Sequence, residues 1–160
     1  MNFKVFIKNI FIVIFATLML SACATKTATL PSQLQGDVYT GTDTVEYLAK
    51  GVPDRVFFAT NESVLTTASR DTLRKQAAWM RTNDSLSFTI EGHADERGTR
   101  EYNLALGERR ANAAKDYLMT YGISGNRLSV ISYGKERPVN SGSNPLAWSQ
   151  NRRSVTVKAN

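Results

Sequence analysis

The residues with the clearest chemical potential are concentrated in one segment, EGHADERGTREYNLALGERR, at residues 91–110. This segment contains the only histidine of the chain, together with several acids and arginines. An alternating, strand-like pattern leads into it and a helix-like pattern leaves it. A junction with this much charge is either an ordinary solvated turn or a site that holds a charged ligand.

One arginine of this segment lies on a helix face that should be buried. The helix predicted to begin near Thr99 has an apolar stripe, formed by Leu106, Ala113, Ala114, Tyr117, Leu118 and Tyr121. Arg110 lies on this stripe, whereas Arg109 points away from it. A buried guanidinium requires a partner, and we expect Asp95, at the end of the preceding strand, to provide it. The pair then forms either a purely structural bridge or a site whose arginine binds a ligand carboxylate.

The turn before this helix offers groups for both signs of charge. Gly92 and Gly98 can provide a positive φ or let a ligand approach the backbone. Thr99 is suited to cap the helix, and the free amide N–H groups of the first turn attract an anion. With Asp95 available for an ammonium group and Arg110 for a carboxylate, the junction suits a zwitterionic amino-acid group.

A metal site is the competing interpretation of the same strand. Glu91, His93 and Asp95 alternate, so they could share one strand face, and all three residue types bind zinc. The single histidine argues against this interpretation, and we predict neither a metal nor a cofactor. The chain also has no arguable Ser-His-Asp or Cys-His arrangement and no glycine-rich phosphate loop. We therefore predict that the protein is not an enzyme.

The start of the chain has the pattern of an export signal. Lys4 and Lys8 are followed by an apolar run at residues 10–20, which is shorter than the ~20 residues needed to span a bilayer and fits the core of a signal peptide. The next residues, LSAC at 20–23, resemble the bacterial lipobox. We predict a lipoprotein signal peptide at residues 1–22 and lipidation of Cys23. The alternative is a plain signal peptide with an incidental cysteine.

The residues after Cys23 predict where the mature protein lies. Ala24 stands where bacterial lipoproteins retained in the inner membrane usually have Asp, so we expect a lipid anchor in the outer membrane and a domain in the periplasm. Residues 23–50 are rich in Thr, Gly, Ser and Gln. They are predicted to form a lipidated N-terminus and a flexible tether, with a short helical lead-in at residues 44–49.

The overall charge argues against nucleic acid as a partner. The chain has 160 residues, a formal net charge of +6 and a pI of about 9.6. Without Lys4 and Lys8 the charge falls to +4, from 18 basic and 14 acidic residues. This charge is spread along the chain rather than clustered, and export would separate the protein from nucleic acid.

Residues 51–160 have the pattern of one α/β domain. Four strand-like runs (RVFFA, LSFTIEGH, RLSVISYG and RRSVTVKA) and two helical segments give the order β-α-β-α-β-β. Such crossovers place both helices on one face of a mixed sheet, so we predict a two-layer α/β (α+β) sandwich. Residues 135–151, between the last two strands, are predicted to be an irregular loop.

The charged segment also carries a family resemblance. EGHADERGTREYNLALGERRANAAKDYL, residues 91–118, closely resembles the signature of OmpA-like peptidoglycan-binding domains. The matching features are Gly-His-Ala-Asp, Gly98, Tyr102-Asn103, Leu106 and Arg109-Arg110-Ala111. SYGKERP and NRRSVTV match later segments of the family, and the resemblance covers about residues 56–157.

The resemblance implies a non-catalytic domain, of the fold found in the C-terminal part of OmpA, that binds the diaminopimelate side chain of the peptidoglycan stem peptide. By position, Asp95 and Arg110 are the key pair and Leu106 lines the pocket. The loop after the first strand contributes Phe58, Ala59, Thr60 and Asn61. Many members have Asp where this chain has Asn61, so a charge is lost at this contact.

The resemblance also implies protein partners. Members of this kind bind TolB in competition with peptidoglycan and, with TolA, link the outer membrane to the cell wall during envelope constriction in cell division. Glu96, Arg97 and Arg100 are the candidate TolB contacts. One alternative makes TolB docking the main function and wall binding secondary. Whether Arg152 and Arg153 contact the ligand or only close the sheet stays open.

Overall fold

Two short hairpins precede a four-stranded sheet in the computed structural model, which describes residues 34–159. The predicted signal peptide, Cys23 and the first part of the predicted tether lie outside the described residues. In chain order the elements are β1 (Leu34–Gln35), β2 (Val38–Tyr39), β3 (Tyr47–Ala49), β4 (Val52–Pro53), β5 (Arg55–Phe57), α1 (Thr67–Thr82), β6 (Phe88–His93), α2 (Arg100–Thr120), a 3₁₀ turn (Gly125–Arg127), β7 (Leu128–Gly134), α3 (Pro145–Asn151) and β8 (Arg153–Lys158).

The sheet is mixed and its spatial order is β5-β8-β6-β7. β6 and β7 are parallel, and β8 lies between β5 and β6 and is antiparallel to both. The parallel pair is joined by α2, since parallel neighbours require a long crossover. The predicted order of the main elements and the two-layer α+β architecture are confirmed.

Both long helices begin at a threonine cap. The Thr66 hydroxyl accepts a hydrogen bond from the amide of Ser69 (3.1 Å), and the Thr99 hydroxyl accepts one from the amide of Tyr102 (3.2 Å). These side chains satisfy amides that have no partner within the first turn. The predicted cap at Thr99 is confirmed, and Gly122, with φ of 84°, follows the C-terminal end of α2.

The core lies between the sheet and the two helices. Phe88 and Ile90 of β6 are fully buried, as the alternation of this strand predicts. They share one cluster with residues of both helices: Leu73, Ala77, Met80, Ala111, Ala114 and Leu118. The helices therefore cover the same face of the sheet. Among residues 34–159, no helix is both long enough and apolar enough to cross a membrane.

The helical lead-in predicted at residues 44–49 is wrong, because this segment contains β3. Leu48 is buried in the core cluster, whereas Tyr47 points outwards and is 56% exposed. Gly51, with φ of 77°, lies in the turn that joins β3 to β4. The alternation and the glycine turn together favour a hairpin over a helix.

Part of the segment predicted as a flexible tether is structured. Residues 34–50 contain β1, β2 and β3. Tyr39 is only 2% exposed, and its ring lies 4.7 Å from that of Phe57 in an edge-to-face arrangement. Burial of this aromatic ring offsets the conformational entropy lost by the chain around it. The domain boundary after residue 50 stays a prediction.

The segment 135–151 is not irregular throughout, since it ends in α3. Asn144 caps this helix by accepting a hydrogen bond from the amide of Ala147 (3.0 Å), and Pro145 occupies its first turn. An Asn-Pro pair is a recognised helix start.

Two glycines allow α2 to approach β6 closely. A Cβ atom on Gly92 would lie 1.8 Å from the carbonyl oxygen of Gly107, so any side chain at this position would clash with the helix backbone. Gly92 therefore serves helix packing rather than ligand access, and the close contact fixes the height of α2 over the end of β6.

Candidate functional site

Three of the predicted binding residues meet at a cleft of about 500 Å³ at the carboxyl end of β6. Its lining residues are Thr60, Asn61, Asp95, Arg97, Gly98, Thr99 and Tyr102. Thr60, Asn61 and Asp95 thus come together as the sequence predicts. Phe58, Leu106 and Arg110 are buried and are not among the lining residues.

Asp95 is a buried carboxylate that contacts two arginines. Its Oδ1 accepts hydrogen bonds from the amide and from Nε of Arg97, both at 3.1 Å. Its Oδ2 accepts from Nη2 of Arg97 (2.7 Å) and from Nη1 of Arg152 (3.2 Å). Burial opposes ionisation, but the hydrogen bonds and charges of the two arginines outweigh it and lower the pKa of Asp95. The carboxylate is therefore charged at neutral pH.

Arg97 extends from Asp95 across the cleft. Its Nη2 also lies 3.3 Å from the Thr60 hydroxyl, to which it donates, and its guanidinium lies 4.4 Å from the centre of the Trp148 ring. The Arg97 side chain is 41% exposed, whereas that of Asp95 is 8% exposed. The guanidinium is therefore accessible to water, whereas the carboxylate that it contacts is not.

Arg110 is fully buried, and its hydrogen bonds go to backbone carbonyls. Its Nε donates to Glu62 (2.8 Å), its Nη1 to His93 (2.9 Å) and its Nη2 to Ala59 (3.0 Å). The prediction that Asp95 is its direct partner is therefore wrong, because the loop after β5 and the end of β6 satisfy these donors instead. Asp95 acts on Arg110 only through its charge.

The Arg110 guanidinium stays charged despite its burial. Burial, and then the charge of Arg152, lower the pKa of Arg110 to about 10, which is still above neutral pH. A guanidinium has five N–H groups, so the second N–H on each terminal nitrogen has no partner among the described residues. The Phe58 ring, 5.4 Å from the guanidinium carbon, adds a cation–π contact.

The loop that presents these carbonyls depends on Asn61. This residue has φ of 58°, in the left-handed region that Asn and Asp adopt more readily than most side chains. The amide of Glu62 donates to the carbonyl of Ala59 (3.2 Å) and closes a turn around it. Asn and Asp can both support this turn, so an Asp at this position would change the charge of the loop rather than its conformation.

Arg152 belongs to the site, which the sequence left open. It is 3% exposed, and its Nε donates to the carbonyl of Phe58 (3.1 Å). Its Nη1 donates a hydrogen bond to the Asp95 carboxylate, and its Nη2 donates one to the backbone carbonyl of Asp37. Asp37, in the segment predicted as tether, in turn accepts a hydrogen bond from the amide of Thr60 (2.6 Å). The site thus includes a residue that sequence reasoning missed.

Arg153 and His93 lie away from the cleft. Arg153 donates to the carbonyl of Arg137 (3.1 Å) and so ties the loop before α3 to the sheet. His93 is 2% exposed. Burial, followed by the charges of Arg153, Arg55 and Arg137, lowers its pKa to about 3, so it is neutral. The His93 Nε2 lies 3.4 Å from the Glu91 Oε2. Residues 34–159 nevertheless include no group of three or more acids, histidines or cysteines placed to hold a metal ion.

The candidate contacts for a protein partner form a charged rim, defined as Glu96, Arg97 and Arg100. All three are exposed. The Glu96 carboxylate accepts hydrogen bonds from the Trp148 indole (2.8 Å) and the Ser143 hydroxyl (3.0 Å). Arg100 lies 3.2 Å from Glu136. The rim residues are therefore held in position but remain accessible, and Arg97 also lines the cleft.

A second cavity, of about 420 Å³, lies between the hairpins, β5 and the start of α1. Its lining is mainly apolar and includes one charged residue, Arg55, which is paired with Asp54 at 2.7 Å. The cleft at Asp95 instead brings charges of both signs to an open surface, which makes it the stronger candidate for recognition of a charged ligand.

A family model described as the OmpA family matches residues 57–152. The matched span contains all the residues that line the cleft, together with Arg110 and Arg152.

Curated relatives match nearly the whole chain. Proteins named peptidoglycan-associated lipoprotein from Brucella melitensis biotype 1 and Rhizobium meliloti are each 46% identical, over 91% and 92% of this chain and 89% and 86% of their own lengths. The solved structure of the peptidoglycan-associated lipoprotein from Burkholderia pseudomallei has a TM-score of 0.65 at 34% identity, over 66% of this chain and 90% of that chain. The C-terminal domain of Helicobacter pylori MotB has a TM-score of 0.62 at 18% identity, over 67% and 84% of the two chains, and shares the fold.

Proposed function

This chain belongs to the OmpA family, and we propose that it is a lipoprotein of the outer membrane that binds peptidoglycan without catalysing a reaction. The observation that carries this proposal is a buried carboxylate, Asp95, near three arginines: Arg97, Arg110 and Arg152. Such a cluster has an excess of positive charge and one acceptor, which suits a ligand end with both a carboxylate and an ammonium group. The name of the relatives supports the cell wall as the source of that ligand.

The meso-diaminopimelate of a stem peptide has such an end. In the proposed complex, Asp95 accepts the ammonium group in exchange for Arg97. The loop residues Ala59, Thr60 and Asn61 contact the ligand. Phe58 and Leu106 form the apolar support next to Arg110.

Arg110 has two parts in this proposal. It holds the loop after β5 through the carbonyls of Ala59 and Glu62, and it places a fixed positive charge next to the site of the ligand carboxylate. Its two terminal N–H groups without a described partner are the donors proposed to bind the ligand carboxylate.

Recognition of the carboxylate predicts a preference between wall peptides. We expect the full chain to cosediment with purified sacculi. We also expect it to bind a diaminopimelate-containing muropeptide at least about tenfold more tightly than a lysine-containing one, because lysine lacks the terminal carboxylate and the charge-assisted contacts it makes. Isothermal titration calorimetry measures both affinities. Equal affinities would remove the carboxylate from recognition, and failure to bind sacculi would reject the wall function itself.

The same proposal includes the start of the chain. Residues 1–22 act as the signal peptide, lipid on Cys23 anchors the protein, and residues after Cys23 let the domain reach the wall. More than one acyl chain gives stable anchoring, whereas a single chain binds only marginally.

Docking of TolB is the second candidate function, and the exposed charged rim favours it. Arg97 belongs both to the rim and to the cleft, so a protein bound at the rim would compete with a wall peptide. Such competition would connect the domain to the Tol proteins and to cell division. Binding of purified TolB by a chain that does not bind sacculi would make docking the main function.

A further inference from the structure

The β1–β2 hairpin places a carboxylate on donors at the edge of the cleft. Asp37 lies in the turn of this hairpin, after Gly36, whose φ is 65°. The Asp37 Oδ2 accepts a hydrogen bond from the amide of Thr60 (2.6 Å) and lies 3.8 Å from Nη2 of Arg152. The same Nη2 donates to the backbone carbonyl of Asp37.

This contact is charged but partly open to water. The Asp37 side chain is 49% exposed, whereas that of Arg152 is 3% exposed. Partial burial opposes ionisation of Asp37, but the hydrogen bonds from Thr60 and the charge of Arg152 outweigh it and lower its pKa. A contact with one exposed partner contributes little net stability, so the carboxylate can leave without unfolding the domain.

Both donors also belong to the candidate site. Thr60 lines the cleft, and Arg152 donates to Asp95. An amide N–H and a guanidinium together form a usual binding site for a carboxylate. In the free protein the Asp37 carboxylate therefore occupies the position in which a ligand carboxylate could bind.

We propose that Asp37 is a built-in competitor, whose carboxylate occupies a subsite formed by the Thr60 amide and Arg152 until the carboxylate of a wall peptide displaces it. This inference rests on the proposed function. Arg97 plays the corresponding role for the ligand ammonium group. Its guanidinium contacts Asp95 at the position where that ammonium group binds. In the free protein, groups of the same chain thus occupy both the carboxylate and the ammonium positions of the cleft.

The competitor lowers the affinity of the cleft without blocking it. The β1–β2 hairpin must release Thr60 and Arg152 before the ligand can bind, so the apparent dissociation constant rises with the fraction of closed chains. The hairpin follows Cys23 by few residues, with Asp37 at position 14 after it, so the competitor lies on the segment that leads to the proposed anchor.

Removal of the Asp37 carboxylate tests this proposal. In the full chain, Asp37→Ala is expected to bind the diaminopimelate-containing muropeptide about fivefold more tightly than the unmodified chain. Asp84→Ala, which changes the charge equally in the exposed turn after α1, is expected to leave the affinity unchanged. Thermal unfolding confirms that both variants are folded. Unchanged or weaker binding by folded Asp37→Ala would overturn the competitor role while leaving the wall function intact.

A measurement on the unmodified chain is independent of any variant. The pKa of Asp37, followed by NMR of its carboxyl carbon, is expected to be low in the free protein. It is expected to rise towards the ordinary value when the muropeptide saturates the cleft, because the Thr60 amide and Arg152 are then taken by the ligand. A pKa that stays low in the complex would show that Asp37 is not displaced. Failure of the muropeptide to bind at all would instead reject the proposed function.

Discussion

Replacing Arg110 with alanine is expected to lower the free energy of unfolding by about 3–5 kcal/mol. The substitution removes three hydrogen bonds, which Arg110 donates to the carbonyls of Ala59, Glu62 and His93. It also opens a cavity, because Arg110 is fully buried. The loop after β5 should then lose its conformation, and binding to sacculi should be lost with it.

Urea denaturation at neutral pH measures this effect. Arg109→Ala is the matched control, because its side chain is exposed on the same helix, and it is expected to change the free energy by less than about 0.5 kcal/mol. Arg110→Lys should retain the charge but only part of the stability. The ammonium group of lysine cannot reproduce the three hydrogen bonds that the planar guanidinium donates to separate carbonyls. An Arg110→Ala variant as stable as the unmodified chain would contradict the role of Arg110 in holding the loop.

The second large effect is expected at Asp95. Asp95→Asn keeps the shape of the side chain but removes the charge that accepts the ligand ammonium. Loss of one partner of a buried charged contact costs about 2–5 kcal/mol of binding, which corresponds to a reduction in affinity of roughly 30-fold or more. Cosedimentation with sacculi and calorimetry with the diaminopimelate-containing muropeptide measure the loss.

The control for Asp95 is Glu101→Gln, which removes an exposed acid from the first turn of α2. It is expected to bind like the unmodified chain. Asp95→Asn also deprives Arg152 of its carboxylate, so circular dichroism must show that the variant is folded. Normal binding by folded Asp95→Asn would move the ligand site elsewhere.

The strand and the helix that position the site, β6 and α2, were predictable because they follow from hydrophobic periodicity. The position of Arg110 on the apolar stripe of α2 indicated its burial, and the alternation of β6 indicated that Asp95 follows a buried strand. The partner of Arg110 was not predictable in the same way. Backbone carbonyls are present at every residue, and only the turn at Asn61 decides which of them face the guanidinium.

Arg152, which precedes β8, and Arg153, its first residue, show the same limit. Both are buried, but two adjacent basic residues at the start of a strand do not indicate which groups their side chains meet. Arg152 meets Asp95 and Asp37 because the sheet order places β8 between β5 and β6. Nothing in the sequence indicated that Asp37 would meet Arg152, since its hairpin has only two residues per strand. Asn144 and Pro145 are residues that favour the start of a helix, here α3. The surrounding Gly and Ser favoured a loop instead, and a loop was therefore predicted.

The contacts of Arg152 also determine when the cleft can form as the chain folds. They reach Phe58 and Asp37, which lie 94 and 115 residues earlier in the chain. Closing loops of this length costs entropy before the contacts compensate for it. We therefore expect Arg152 to join the cleft only once β8 has paired with β5 and β6. Full binding competence is then acquired late in folding, after the sheet is complete.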